Sequence, residues 1–115
     1  MINTQVEFFQ GSKGKLYSIK RTLINSIGYV IYVQPLFELN NANRHVFTKS
    51  AIQNYHANIS SLIYDHYGCG DSEGELLDAS LSTWQQDLLQ VVQRVKNNNK
   101  TKISLVVFSS STLLL

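Results

Sequence analysis

The chain has 115 residues, of which 43% are hydrophobic and 16% charged, a composition typical of a globular domain rather than a disordered segment. The net charge of +2 is small and the basic residues are dispersed, which argues against nucleic-acid binding because such proteins concentrate positive charge on one face. One cysteine excludes an internal disulfide and a cysteine-rich metal site. The chain has no signal-peptide pattern and no apolar stretch near the roughly 20 residues that span a bilayer, so we expect a cytoplasmic protein without membrane contact.

The first predicted elements are strands. Residues 6–10 and Lys15–Arg21 are β-prone stretches on either side of a turn that begins and ends with glycine, which predicts a hairpin. Residues 29–33 form a β-branched and aromatic run that is apolar on both faces, as in strands buried inside a parallel sheet. The run stops before Pro35, which cannot donate to a strand ladder.

Helices and strands are predicted to alternate after this run. Residues 46–57 are a predicted helix, in which Phe47, Ala51 and Tyr55 share one face. Residues 61–64 read as the next buried strand, and residues 103–107 as a further one.

The strongest helical signal lies between these two strands. Ser82 and Gln85 match a capping box at its start, and Asn97 to Asn99 mark its end. One apolar stripe follows the helix, formed by Trp84, Leu88, Val91, Val92 and Val95.

Strands that alternate with helices predict an α/β fold with a parallel sheet and right-handed crossovers. Two helices are few to cover both faces of such a sheet, and residues 113–115 read as the opening of another helix. We therefore expect residues 1–115 to form a single, incomplete α/β domain. The alternative is a naturally small domain.

The most informative segment is a glycine-punctuated loop that follows the second buried strand. It matches the pattern D-x-x-G-x-G-x-S-x-G through Asp65, Gly68, Gly70, Ser72 and Gly74. Glycines permit positive φ and close chain approach, and the aspartate and serine can cap tight turns. The loop does not match a dinucleotide-binding fingerprint, because Glu73 stands where the third glycine is required. It does not match a calcium-binding loop either, because acidic residues do not occupy alternating positions.

This pattern resembles the loop after the fourth strand of α/β-hydrolases, where it is a scaffold beside the active site. Residues 34–44 are also similar to the P-P-F-x-E-E-x-N-x-x-R segment of exosortase A system-associated hydrolases, through Pro35, Glu38, Asn41 and Arg44. Gln34, Leu36 and Leu39 depart from that segment, whereas Trp84 and Asp87 match residues common in the same branch. The alternative reading of Glu38 and Arg44 is a surface ion pair, and that of Trp84 is a core residue.

The resemblance implies a partial α/β-hydrolase fold that ends near the nucleophile elbow, G-x-S-x-G. It places Ser109 at the nucleophile, with Ser111 as the alternative register, and neither serine has both flanking glycines. It implies oxyanion-hole amides from Leu36 and Ser110. The catalytic acid and histidine of the family follow the nucleophile, and the sequence ends six residues after Ser109.

Two further residues of the loop, His66 and Cys69, are of types that can act in catalysis. His66 occupies a variable position of the loop pattern, so a structural role is expected for it. Cys69 lies close to Asp65 and Asp71, which would raise the pKa of its thiol rather than activate it. No cofactor and no metal site are expected.

Three functional hypotheses result. In the first, the chain is the front part of a hydrolase or acyltransferase that takes a small acyl or ester substrate through an acyl-serine, and these residues are inactive alone. In the second, it is a non-catalytic interaction module that pairs through an uncovered sheet edge, for example with itself. The third, a small Rossmann-like nucleotide binder, lacks phosphate-binding glycines at a helix start.

Overall fold

The computed structural model of the chain describes residues 2–36, 40–98, 102–107 and 114–115. Within these ranges the secondary structure begins with strands β1 (Thr4–Gln10), β2 (Lys15–Arg21) and β3 (Gly28–Val33). It continues with α1 (Asn40–His56), β4 (Ile59–Tyr64), a 3-10 turn (Leu76–Asp78), α2 (Leu81–Asn98) and β5 (Ile103–Val107).

The five strands form one mixed sheet in the order β1-β2-β4-β3-β5. The hairpin β1–β2 joins the sheet through antiparallel pairing of β2 with β4, and β3 pairs in parallel with both β4 and β5. The predicted α/β class, hairpin and parallel strands are therefore confirmed. Strand β3 lies between its two parallel neighbours, which explains why its sequence is apolar on both faces.

The two helices cover opposite faces of the sheet. Helix α2 packs its apolar stripe on the larger core, to which the strands contribute side chains such as Leu16, Ile31 and Leu62. Helix α1 packs Phe47 and Ala51 against a smaller core on the other face. From β3 the chain crosses to its neighbour β4 and then returns past β3 to β5, so the direction of the crossovers reverses at β4.

Two local predictions about helix starts are wrong. Helix α1 begins at Asn40, six residues before the predicted start, because its polar first turn carries no apolar periodicity and is stabilised by the packing of Phe47 and Ala51. Helix α2 is capped by Ser80 instead of Ser82, since the Ser80 hydroxyl accepts the Thr83 N–H at 3.1 Å. The predicted stripe of α2 is confirmed, with Val92 half-buried at its margin.

The predicted further helix at residues 113–115 begins outside the described residues, and of the three only Leu114, which is buried, and Leu115 are described. Neither α1 nor α2 has the combination of length and hydropathy that crossing a membrane requires.

Candidate functional site

Three parallel strands end side by side at one edge of the sheet. In the register, Val33 of β3 lies opposite Tyr64 of β4 and Val107 of β5. The carboxyl ends of the three strands therefore lie at the same edge, where ligands bind in open α/β sheets. The turn at Pro35 and Leu36 and the loop from Asp65 onward are thereby placed next to each other.

Asp65 is the centre of the loop. Its side chain is fully buried, and it accepts the Nε2–H of Gln34 at 2.6 Å and the backbone N–H of Asp71 at 2.9 Å. The same carboxylate forms an ion pair with the Arg44 guanidinium of α1. A buried carboxylate needs this degree of pairing, because an unpaired charge in a protein interior is strongly unfavourable.

The three glycines of the pattern, Gly68, Gly70 and Gly74, have φ angles of +79°, +55° and +98°. A Cβ on Gly70 would lie 2.3 Å from Oδ2 of Asp65, and one on Gly74 would lie 2.2 Å from the Tyr67 ring. These two positions therefore need glycine both for their backbone conformation and for lack of space. Helix α2 starts seven residues after Gly74, so the loop does not open directly into a helix N-terminus.

Ser72 and Glu73 join the loop to the hairpin. The Ser72 hydroxyl donates to the carbonyl oxygen of Asp65 at 2.7 Å and accepts the backbone N–H of Tyr17 at 2.8 Å. Glu73 accepts the N–H of Lys15 at 2.6 Å, and its own N–H donates to the Lys15 carbonyl at 2.8 Å. The loop is thus fastened to β2 as well as to the end of β4.

Arg44 connects α1 to the loop. Besides its ion pair with Asp65, its Nη1 lies 3.6 Å from Oδ2 of Asp71. The hydrogen bond that Arg44 donates to Asp65 is the largest cause that raises the pKa of Arg44, so the guanidinium stays charged. Glu38, the other residue of the expected ion pair, lies outside the described residues.

His66 makes a contact that sequence reasoning did not find. Its ring is fully buried, and its Nε2–H donates to the Gln34 carbonyl oxygen at 2.7 Å. Burial lowers the pKa of His66, although the Gln34 carbonyl and the carboxylates of Asp65 and Asp87 oppose the shift. His66 stands at a variable position of the loop pattern, and Gln34 departs from the pattern matched by residues 34–44. Neither motif therefore indicated that these two residues are in contact.

Cys69 is half-buried in the same loop. Burial and the charge of Asp65 raise the pKa of its thiol, which is the opposite of what a nucleophilic cysteine requires.

Trp84 and Asp87 lie on the α2 side of the loop. The indole Nε1–H of Trp84 donates to the Tyr67 carbonyl oxygen at 3.0 Å while its ring is buried in the core. Asp87 is fully buried and accepts the N–H and the hydroxyl of Ser12 at 2.7 and 2.8 Å. Trp84 therefore fastens α2 to the loop, and Asp87 fastens α2 to the hairpin turn.

The remaining predicted site residues divide into two groups. Leu36 lies three residues after Val33, the last residue of β3, and its side chain is buried. Ser109, Ser110 and Ser111, the predicted nucleophile positions and second oxyanion amide, lie outside the described residues. By sequence, Ser109 is two residues beyond Val107, the last residue of β5.

Nothing in the described ranges groups three histidine, cysteine, aspartate or glutamate side chains in a way that would hold a metal ion. A cleft of about 370 Å³ lies at the opposite edge of the sheet, lined by Tyr29, Lys20 and Arg94 among others. Lys20 and Arg94 both pair with Glu7, at 3.1 and 3.4 Å. The cleft is separate from the Asp65 loop.

The solved structures that the chain resembles include α/β-hydrolases. The chain aligns with an α/β serine hydrolase without a lid from Xanthomonas campestris (TM-score 0.79, 19% identity, 97% of this chain and 53% of that one). It also aligns with an α/β serine hydrolase homologue from Coxiella burnetii (TM-score 0.76, 19% identity, 99% of this chain and 55% of that one). A third match is the mouse α/β-hydrolase domain-containing protein 10 (TM-score 0.72, 18% identity, 96% of this chain and 42% of that one). No family model and no curated protein sequence matches the chain.

The chain therefore has part of the α/β-hydrolase fold, and it spans about half the length of these structures. At identities below 20% the likeness establishes the fold and not the activity, since one fold serves many chemistries.

Proposed function

We propose that the chain is the front part of a serine hydrolase or acyltransferase that acts on a small ester, thioester or amide through an acyl-serine. The observation that carries this proposal is the common edge at which β3, β4 and β5 end. The turn at Leu36 and the Asp65 loop both lie at this edge, and β5, which precedes Ser109 in sequence, ends there as well. An acyl-transfer site needs a nucleophile close to its oxyanion-hole donors, which is why this common edge supports the proposal.

In this proposal a base of the complete enzyme takes the Ser109 hydroxyl proton while the serine oxygen attacks the acyl carbon. The bond to the leaving group then breaks, the leaving group takes that proton and an acyl-serine remains. Negative charge develops on the carbonyl oxygen before that bond breaks. The amides of Leu36 and Ser110 donate hydrogen bonds to that oxygen. The role of the loop in this proposal is structural: it lies beside the turn and does not contact substrate. Its conformation is maintained by Asp65, Ser72 and the glycines. Ser111 is the nucleophile in the alternative register.

We further propose that a polypeptide of these 115 residues does not catalyse the reaction alone. The acid and the histidine of a hydrolase triad follow the nucleophile in chain order, and the three histidines of the chain all precede Ser109. Without a base the serine hydroxyl is a weak nucleophile at neutral pH. The resemblance to exosortase A system-associated hydrolases supports a role in the same systems, and a cytoplasmic location remains our expectation.

The experiment is hydrolysis of p-nitrophenyl acetate by the purified chain, beside its Ser109→Ala and Ser111→Ala variants. We expect the chain to match the variants and the buffer. Hydrolysis that is lost in Ser109→Ala and kept in Ser111→Ala would contradict the proposed inactivity and establish the register. Sequencing the coding region after the Leu115 codon gives a second check, because the hydrolase proposal expects an acid and a histidine there.

A second candidate, a non-catalytic interaction module, is favoured by strand β5. Within the described residues β5 pairs only with β3 and stands at the edge of the sheet. Leu105 and Val106 are each 37% exposed, and no charged residue interrupts residues 103–107. An edge of this kind is suited to strand pairing with a second copy.

A further inference from the structure

Gln34 is held at several points just before the turn that carries the Leu36 amide. Its side chain is fully buried, and its Nε2 donates to the carbonyl oxygen of Tyr64 at 2.9 Å and to Asp65 at 2.6 Å. Its own carbonyl oxygen accepts the Nε2–H of His66 at 2.7 Å. Both the side chain and the backbone of Gln34 are thus fastened to the end of β4.

The hydrogen bond from His66 acts on the torsions that set the direction of the Leu36 N–H. The carbonyl of Gln34 belongs to the peptide bond with Pro35, so fixing that carbonyl fixes the plane from which Pro35 starts. The pyrrolidine ring locks φ of Pro35, and a residue before proline is itself restricted to extended conformations. Once the Gln34 carbonyl is held, ψ of Pro35 is the main torsion left to orient the Leu36 amide.

The protonation state of His66 follows from the same geometry. A carbonyl oxygen is only an acceptor, so Nε2 must carry the proton. Nδ1 is buried with no hydrogen-bond partner among the described residues, which fits a neutral ring with its lone pair on Nδ1. The ring packs edge-on to Tyr64 at 5.4 Å between centroids and tilted against Trp84 at 6.0 Å, so it has little freedom to turn away.

We propose that His66 is a positioning residue: its Nε2–H holds the Gln34 carbonyl so that the turn presents the Leu36 amide in one orientation. The value of that orientation for an oxyanion rests on the proposed hydrolase function. The holding itself is a property of the turn, and it is tested without any reaction.

The test compares two substitutions with opposite consequences. His66→Gln keeps an N–H donor near the position of Nε2 but loses the aromatic ring, whereas His66→Phe keeps a ring against Tyr64 and Trp84 but loses the donor. The readout is the ¹⁵N relaxation order parameter of the Leu36 amide, with the amides of Val33 and Tyr64 as internal references. His56→Gln, at an exposed histidine of α1, is the matched control.

We expect an order parameter of about 0.85 for Leu36 in the unsubstituted chain, His66→Gln and His56→Gln, and a fall below about 0.6 in His66→Phe alone. A role limited to packing predicts the reverse ranking of the two His66 variants. An unchanged Leu36 in His66→Phe, or equal loosening in both variants, would overturn the proposal.

A second measurement needs no substitution, which matters if a variant does not fold. The ¹⁵N shifts of the imidazole report which nitrogen bears the proton, and we expect the Nε2–H form at pH 7.5. A proton on Nδ1 would refute the hydrogen bond to Gln34. Neither readout depends on ester hydrolysis, so a failed hydrolase proposal and a failed positioning proposal give different results.

Discussion

Asp65 and Arg44 form an ion pair that fastens helix α1 to the loop at the end of β4. Asp65 is fully buried, whereas the Arg44 side chain is 25% exposed. The carboxylate also accepts hydrogen bonds from Gln34 and from the backbone of Asp71, so one side chain joins helix α1, the turn after β3 and the loop itself.

Asp65→Asn is expected to lower the free energy of unfolding by about 3 kcal/mol, because removing one partner of a buried pair leaves the other uncompensated. Asp71→Asn is the matched control, since Asp71 is 64% exposed and its carboxylate lies 3.6 Å from Arg44. We expect it to lower that free energy by under about 1 kcal/mol. Urea denaturation followed by circular dichroism measures both, and equal losses would contradict the central place of Asp65.

Gly74→Ala is expected to destabilise the chain by about 2–4 kcal/mol. The substitution adds a Cβ 2.2 Å from the Tyr67 ring at a residue with φ of +98°, so steric overlap and backbone strain act together. Gly28→Ala provides the comparison, because its Cβ would meet nothing closer than the Lys102 carbonyl at 3.9 Å. We expect it to stay within about 0.5 kcal/mol. The shift in urea midpoint measures both, and similar shifts would argue against this loop conformation.

Stability is expected to fall as the pH is lowered below about 6.5, the usual pKa of an unfolded histidine. Burial lowers the pKa of His66 in the folded chain, so between the folded and unfolded pKa values the unfolded state binds more protons. The contribution of His66 to the free energy of unfolding is therefore complete above about pH 6.5. It is lost as the pH falls toward the pKa of His66 in the folded chain. Asp65 and Asp87 favour the charged ring and limit the loss.

The measurement is the free energy of unfolding between pH 7.5 and 5.5 for the chain and for His66→Phe. The difference between the two free energies cancels the contributions that both chains share and leaves the contribution of His66. A difference that does not change with pH would show that the His66 pKa is not lowered by folding.

The edge strand gives a prediction about association. If β5 pairs with a second copy, the chain should elute above its 13.0 kDa mass with a concentration-dependent volume, and Leu105→Lys should shift it to the monomer. Leu77→Lys, at a 98% exposed leucine of the 3-10 turn, should leave association unchanged. A monomer at all concentrations would rule out pairing between copies of the chain, and a cooperative melt would then argue for a self-sufficient domain. Irregular aggregation would favour an incomplete hydrolase instead.

The sequence alone determined the strands, the stripe of α2 and the hydrolase-like loop, because each depends on local periodicity or on glycine conformation. The helical spacing of Trp84 and the conformational freedom of the glycines are local properties that do not depend on the surrounding fold. The start of α1 at Asn40 escaped detection, since a polar first turn has no periodicity and its helical state is decided by the packing of Phe47 and Ala51.

Only the tertiary structure decided which side chains meet. The hydrogen bond between His66 and the Gln34 carbonyl, 32 residues apart in the chain, follows from the parallel register of β3 and β4. The pairing of Arg44 with Asp65 depends on how α1 packs against the sheet. A pairing register places residues distant in sequence within hydrogen-bond reach, and a single sequence does not encode that distance. The physical reason is that strand propensity is local whereas strand alignment is set by the whole core.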